Sequence, residues 1–164
     1  MALRSDWLGI IKGRGLVDKS LENGGRLLVV FDGHCGFCNR TVRWLLRRDR
    51  RDRLRFVASE QAHVAGLLKR HGLDVASDAD GPGSIVVVRD AGGVVECVLV
   101  RSDAVVALLR ELPRPWAWVG VALKWIPRPV RDMVYGLVAR WRYRIWGRLE
   151  SCPAPTAEER ERFL

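Results

Sequence analysis

Apolar and polar positions along the chain change period several times, and each change marks an element. Leu27 to Phe31 is a continuous apolar run and predicts a fully buried first strand. From Asn39 to Arg48 the period becomes helical, with Val42, Leu45 and Leu46 on one side and Arg47 and Arg48 in the last turn, where the helix dipole favours cations. Leu54 to Val57 predicts a short second strand. A second helix follows from Glu60 to His71, with Ser59 as its cap, Val64, Leu67 and Leu68 inward, and Gly72 as its stop. After a polar loop from Asp74 to Gly83, two strands are predicted at Ser84 to Arg89 and Val94 to Val100. Asp90 to Gly93 forms the hairpin turn between them. Ser102 then caps a helix from Asp103 to Leu112. The last third is helical. Pro115 to Trp125 is apolar nearly all round and is expected to cover one face of the sheet. Pro129 to Gly147 is amphipathic, with Val130, Met133, Val134, Leu137, Val138, Trp141 and Ile145 expected inside and Arg140, Arg144 and Arg148 as a basic outer ridge.

The order β-α-β-α-β-β-α, read as two parallel crossover units followed by an antiparallel hairpin and a helix, is the thioredoxin-like order. The expected fold class is therefore α/β: a thioredoxin-like sandwich with additional C-terminal helices. Residues 1–25 read as an N-terminal extension, 26–112 as the thioredoxin-like domain, and 113–164 as a helical extension packed on the same domain.

The informative chemistry sits between the first strand and the first helix, in Asp32-Gly33-His34-Cys35-Gly36-Phe37-Cys38. Two cysteines separated by two residues, at the point where a strand turns into a helix, make a reactive dithiol. Cys35 falls where the helix begins, so unpaired backbone N–H groups and the positive dipole end should lower its pKa from about 8.5. Cys38 falls one turn later on the apolar stripe and should be buried and less reactive. Cys35 is thus expected to attack a disulfide and Cys38 to resolve the mixed disulfide. Asp32 is placed either to exchange a proton with a cysteine, directly or through water, or to cap the turn by accepting from the N–H groups of Gly33 to Cys35. His34, if protonated, would stabilise the thiolate; otherwise it is an exposed imidazole. Gly36 would admit the backbone of a partner and Phe37 would offer it an apolar surface. Arg40 and Arg43 would add positive potential, largely screened at their distance.

Composition narrows the reading. A chain of 164 residues with 48% apolar residues and seven tryptophans builds a core without disulfide or metal staples. Four cysteines are too few for a secreted disulfide framework. A structural zinc site needs four ligands, and Cys97, Cys152 and three histidines form no second knuckle, so no metal and no cofactor are expected. Cys97 reads as a core residue and Cys152 as an inert free thiol. Nothing resembles a signal peptide, and the longest apolar stretch is too short to span a bilayer. A cytoplasmic protein with its dithiol normally reduced is the simplest reading. The net charge of +9 suits an anionic partner, but no nucleic-acid motif accompanies it, and a solvated helix face is the plainer account.

The setting Val30-Phe31-Asp32-Gly33-His34-Cys35-Gly36-Phe37-Cys38-Asn39 resembles the DCC family of predicted thiol-disulfide oxidoreductases, named for an Asp-Cys-Cys triad. Arg43 to Asp49 with Leu54 to Phe56, Ser84 to Val88, Val100 to Ala104 and Cys152 to Phe163 are also similar to that family. The resemblance covers about residues 27 to 164. It implies a thioredoxin-like fold and dithiol chemistry at Cys35, Cys38 and Asp32, with a disulfide-containing protein or a small thiol as partner and an electron donor it does not name. Thioredoxins carry a cis-proline facing the dithiol; Pro82 stands one or two positions early, which leaves Gly83 or Ser84 in the substrate-facing place. The competing function class is a redox-sensing or vestigial binding module that uses its basic and tryptophan-rich helices to engage a membrane surface or an acidic partner.

Overall fold

The computed structural model describes residues 25–73, 85–89, 91 and 96–164. The N-terminal extension up to residue 24, most of the loop before the hairpin with Pro82, Gly83 and Ser84, and most of the hairpin turn lie outside the described residues. The elements are β1 (Leu27–Phe31), α1 (Gly36–Arg48), β2 (Leu54–Ala58), α2 (Ala62–Arg70), β3 (Val86–Arg89), β4 (Cys97–Val100), α3 (Arg101–Glu111), α4 (Trp116–Trp125) and α5 (Arg128–Trp146), with a 3-10 turn at Arg160–Arg162. The sheet order is β2-β1-β3-β4. β1 runs parallel to β2 and antiparallel to β3, and β3 runs antiparallel to β4, so only the first of the two expected crossovers joins parallel strands; the chain after α2 enters the sheet beside β1 in the opposite direction. This is the mixed sheet of a thioredoxin-like α/β fold.

The side-chain alternation of β1 divides the core. Leu27, Val29 and Phe31 point to one face and meet Val42 and Leu45 of α1 and Ala104 and Leu108 of α3. Leu28 and Val30 point to the other and meet Val64, Leu67 and Leu68 of α2. A strand apolar at every position is thus one that helices cover on both sides. The tail returns to the sheet: Phe163 packs on Phe31 and Phe56, at ring-centroid distances of 6.2 and 5.8 Å.

Several local expectations are corrected. Ser59 makes no cap; α2 starts at Ala62 after Gln61, with no side-chain cap bond. Ser102 lies inside the first turn of α3 rather than before it, and its hydroxyl donates instead to Asp132 of α5. Gly72 does stop α2, in a left-handed conformation at φ +69°. Cys97 is exposed rather than in the core, because β4 is the edge strand and Cys97 stands at its start. α4 packs on α3, where a Cβ on Gly120 would lie 3.0 Å from the Leu109 Cβ, instead of lying over the sheet. The largest correction concerns α5. Its apolar stripe faces outward: Met133, Leu137, Trp141 and Ile145 are all exposed, while Arg142 is buried. The inward face carries Tyr135, whose hydroxyl accepts from the Ile85 backbone N–H at 2.9 Å, and Arg142.

Candidate active site

The turn between β1 and α1 is held by short-range bonds that follow from its composition. Asp32 is buried; one carboxylate oxygen accepts from the His34 N–H at 2.9 Å, and its carbonyl accepts from the Cys35 N–H at 3.3 Å. Asp32 therefore caps the turn at His34 alone. The Gly33 N–H goes to Glu60 at 3.0 Å, and the Asn39 side chain donates to the Gly33 and Cys35 carbonyls at 2.7 and 3.1 Å. Cys35 is the N-cap of α1: its sulfur accepts from the Cys38 N–H at 3.3 Å, the bond an Asp or Ser would otherwise accept.

That geometry separates the two thiols. The hydrogen bond from the Cys38 thiol lowers the Cys35 pKa most, followed by the Cys38 N–H and the positive charge of Arg142, against the opposing effects of burial and Asp32; the result is about 7. Cys38 is pushed strongly upward by its bond to the Cys35 sulfur, by burial and by the charge on Cys35. One thiolate is thus stabilised by keeping the other sulfur protonated.

Accessibility departs from expectation. Cys35 is 0% exposed, whereas Cys38 is only partly buried. The end of α5 and the residues after it cover Cys35. Arg148 forms an antiparallel bridge with Cys35, and the Leu149 N–H donates to the His34 carbonyl at 2.7 Å. Phe37 packs against Trp146 with ring centroids 4.7 Å apart, and a Cβ on Gly36 would come within 2.5 Å of the Trp146 carbonyl oxygen. The space that Gly36 and Phe37 were expected to offer a partner is filled by this chain's own backbone. Cys38 lines a cavity of about 440 Å³ between α1, α3, α4 and α5, walled chiefly by apolar side chains such as Val105, Val106, Val134 and Val138.

Two residues of α5 complete the site. Tyr143 donates a short hydrogen bond to the second Asp32 oxygen, and Arg142 donates to the Tyr143 hydroxyl at 3.2 Å. Burial and the bond to Asp32 push the Tyr143 pKa up to about 12, so it stays a donor. Burial alone would lower Arg142, but Tyr143 and the two sulfurs raise it, and its charge is retained. Sequence reading missed both, because an amphipathic helix is read by its apolar stripe. The usable signal was that the chain's two tyrosines, Tyr135 and Tyr143, both fall on this one helix.

The supporting candidates are placed as follows. His34 turns its ring to Glu60, with Nδ1 3.1 Å from the carboxylate, and not to a sulfur. Arg40 and Arg43 are exposed, and the arginine that acts on both site sulfurs is Arg142. Ser84 lies outside the described residues. Cys152 lies beside the turn: a Cβ on Gly33 would come within 3.1 Å of its sulfur. Burial, Glu60 and Asp32 raise its pKa, which makes it a poor nucleophile. Asp32, His34 and Glu60 bring ligand atoms within 4.8 Å of one another, and are the described residues able to share a cation; in the structure these atoms bond one another and the turn.

The family model of DCC1-like thiol-disulfide oxidoreductases matches residues 29–148, from β1 through the segment that covers Cys35. An uncharacterized protein of Bacillus subtilis, YuxK, is 32% identical over 84% of this chain and 93% of its own. A chloroplastic DCC family protein of Arabidopsis thaliana is 30% identical over 80% of this chain and 71% of its own. No solved structure matches the chain. With its dithiol at the head of α1 and a match running from β1 past α5, the chain belongs to the DCC1-like thiol-disulfide oxidoreductase family.

Proposed function

We propose that the protein exchanges disulfides with a protein or small-thiol partner, with Cys35 as nucleophile and Cys38 as resolving thiol. The Cys35 thiolate attacks one sulfur of the partner's disulfide, forming a mixed disulfide and releasing the other sulfur as a thiolate. Cys38 then loses its proton, attacks the Cys35 sulfur and releases the partner's second sulfur. The protein dithiol ends as a disulfide, the partner's disulfide ends as two thiols, and an external electron donor restores the dithiol. Asp32 takes the Cys38 proton, directly or through water, while Tyr143 and Arg142 hold its carboxylate in position.

The observation that carries this reading is the Cys35 sulfur as N-cap acceptor of the Cys38 N–H at 3.3 Å, with the Cys35 pKa drawn down to about 7 and that of Cys38 driven up. A thiol that is about half ionised at neutrality beside one that stays protonated is the asymmetry the two steps require. Exchange at Cys35 also requires the Trp146 to Leu149 segment to move aside, and a partner strand then takes its place along His34 and Cys35. The compartment in this reading is the cytoplasm, where thiol donors regenerate the dithiol.

The test is reduction of a protein disulfide, such as those of insulin, by the reduced protein. Cys35→Ser is expected to abolish it, and Cys38→Ser to accumulate a mixed disulfide at Cys35. Equal rates for the native protein and Cys35→Ser would overturn the assignment.

A further inference from the structure

Among the described residues, the exposed large apolar side chains all lie between Trp118 and Trp146. They are not scattered. On α4, Trp118 and Trp125 are 64% and 87% exposed, with Val121 between them on the same side. On α5, Met133, Leu137, Trp141 and Ile145 recur every fourth residue and form one continuous outer ridge, led by Met133 at 69% exposure. Single exposed apolar residues are ordinary; two successive helices, each with an apolar side turned to solvent, are not.

The charge around this face says what covers it. From Arg114 to Arg148 the chain has eight arginines and lysines and one carboxylate, Asp132; Arg142 is buried at the dithiol, and Arg128 and Arg131 pair with Asp103 of α3. That carboxylate is turned toward the body of the protein, where it accepts from Ser102 and pairs with Arg128 at 3.5 Å. Lys124, Arg140 and Arg144 stand exposed on the same two helices, and the Arg144 guanidinium lies 5.5 Å from the centre of the Trp141 ring. Two copies joined through this face would set like charges against each other. A nucleic acid would satisfy the arginines but leave the ridge of methionine, leucine and isoleucine against water. Exposed tryptophans, an apolar ridge and nearby arginines are the composition of helices that lie in the headgroup region of an anionic bilayer. No described helix is long and apolar enough to cross one.

We propose that the outer face of α4 and α5 seats the protein on an anionic membrane surface, with Trp118, Trp125, Met133, Leu137 and Ile145 entering the headgroup layer and Lys124, Arg140 and Arg144 pairing with lipid phosphates. The proposal is independent of the redox reading, since none of these side chains touches the dithiol. It does have a consequence for the site. Val130, Val134 and Val138 are exposed and also line the cavity beside Cys38, so the mouth of that cavity opens at the membrane-facing side.

The test uses the full reduced chain and sedimentation with vesicles of phosphatidylglycerol and phosphatidylcholine, beside vesicles of phosphatidylcholine alone. Binding to the anionic vesicles that weakens as salt is raised is expected. Arg140→Gln with Arg144→Gln should lower that partition at least about tenfold, from roughly 1 kcal/mol per basic residue near such a surface. Trp125→Ser with Leu137→Ser should abolish it at low salt too, while circular dichroism and thiol titration match the native protein. Lipids brominated near the headgroup should quench tryptophan fluorescence in the native chain. The idea is overturned if the native chain fails to sediment with anionic vesicles at low salt. It is equally overturned if the Trp125→Ser, Leu137→Ser variant binds as well as native. A homodimer that this variant converts to monomer, or binding to a nucleic acid duplex without binding to vesicles, would also sink it.

Discussion

The hydroxyl of Tyr143 donates to a carboxylate oxygen of Asp32, and this one bond ties the last turns of α5 to the turn that carries the dithiol. Through it, a helix far along the chain sets both the surroundings of Cys35 and the position of the segment that covers it. Arg142 reinforces the link by donating to the same hydroxyl.

Tyr143→Phe keeps the ring and removes the donor. One Asp32 oxygen then loses its partner, while the other keeps the His34 N–H. Loss of a hydrogen bond to a charged, buried group costs about 1–3 kcal/mol. Urea unfolding of the reduced variant should show a loss in that range with an unchanged m-value, and an unchanged midpoint would contradict the role assigned to the bond.

Alkylation of Cys35 should follow its thiolate fraction and be half-maximal at about pH 7. Cys38→Ala removes the first cause of the lowered value and should move the midpoint upward. Arg142→Met removes a weaker cause and should move it upward by less. The linkage has a definite sign. A thiol whose pKa falls from about 9 to about 7 on folding favours the folded state above the unfolded value, and loses that contribution as pH falls through the folded one. The reduced protein should therefore gain stability from Cys35 between pH 7 and 9, and the gain should be absent below pH 7. Cys38, with its pKa raised, opposes this only above about pH 9. Denaturation midpoints of the native protein and Cys35→Ser across this range would show the difference, and parallel curves would refute it.

Gly36→Ala is the sharpest test of the covering segment. The new methyl would meet the Trp146 carbonyl oxygen at 2.5 Å, a distance that backbone cannot tolerate. Overpacking of this kind costs about 1–3 kcal/mol, and moving the segment outward relieves it. The variant should be less stable yet alkylate at Cys35 several-fold faster at fixed pH. Trp146→Ala, which removes the ring contact with Phe37, should change reactivity in the same direction without the steric clash. If both variants alkylate no faster than native, the segment does not control access.

The strand, the turn and the helix that present the dithiol were legible because their causes are local. An all-apolar Leu27 to Phe31, a Cys at the N-cap position and a Cys one turn on act over a few residues, and the asymmetry between the two sulfurs follows first from the bond between the two thiols that this spacing allows, with the Cys38 N–H adding to it. The thioredoxin-like order was legible for the same reason, since it is a succession of short periodic segments. The orientation of α5 was not. Its period shows which residues share a stripe but not which side meets the protein. The inward side was decided by polar contacts: Arg142 and Tyr143 near Asp32, Tyr135 at Ile85, and Asp132 at Ser102. Asp32 and Tyr143 are 111 positions apart, and Cys35 and Arg148 slightly farther. Contacts across that separation exist only once the chain has closed on itself. The burial of Cys35, its neighbouring guanidinium and the outward turn of the apolar ridge therefore belong to the tertiary structure, while the pairing of Cys35 with Cys38 at the head of α1 belongs to the order of residues along the chain.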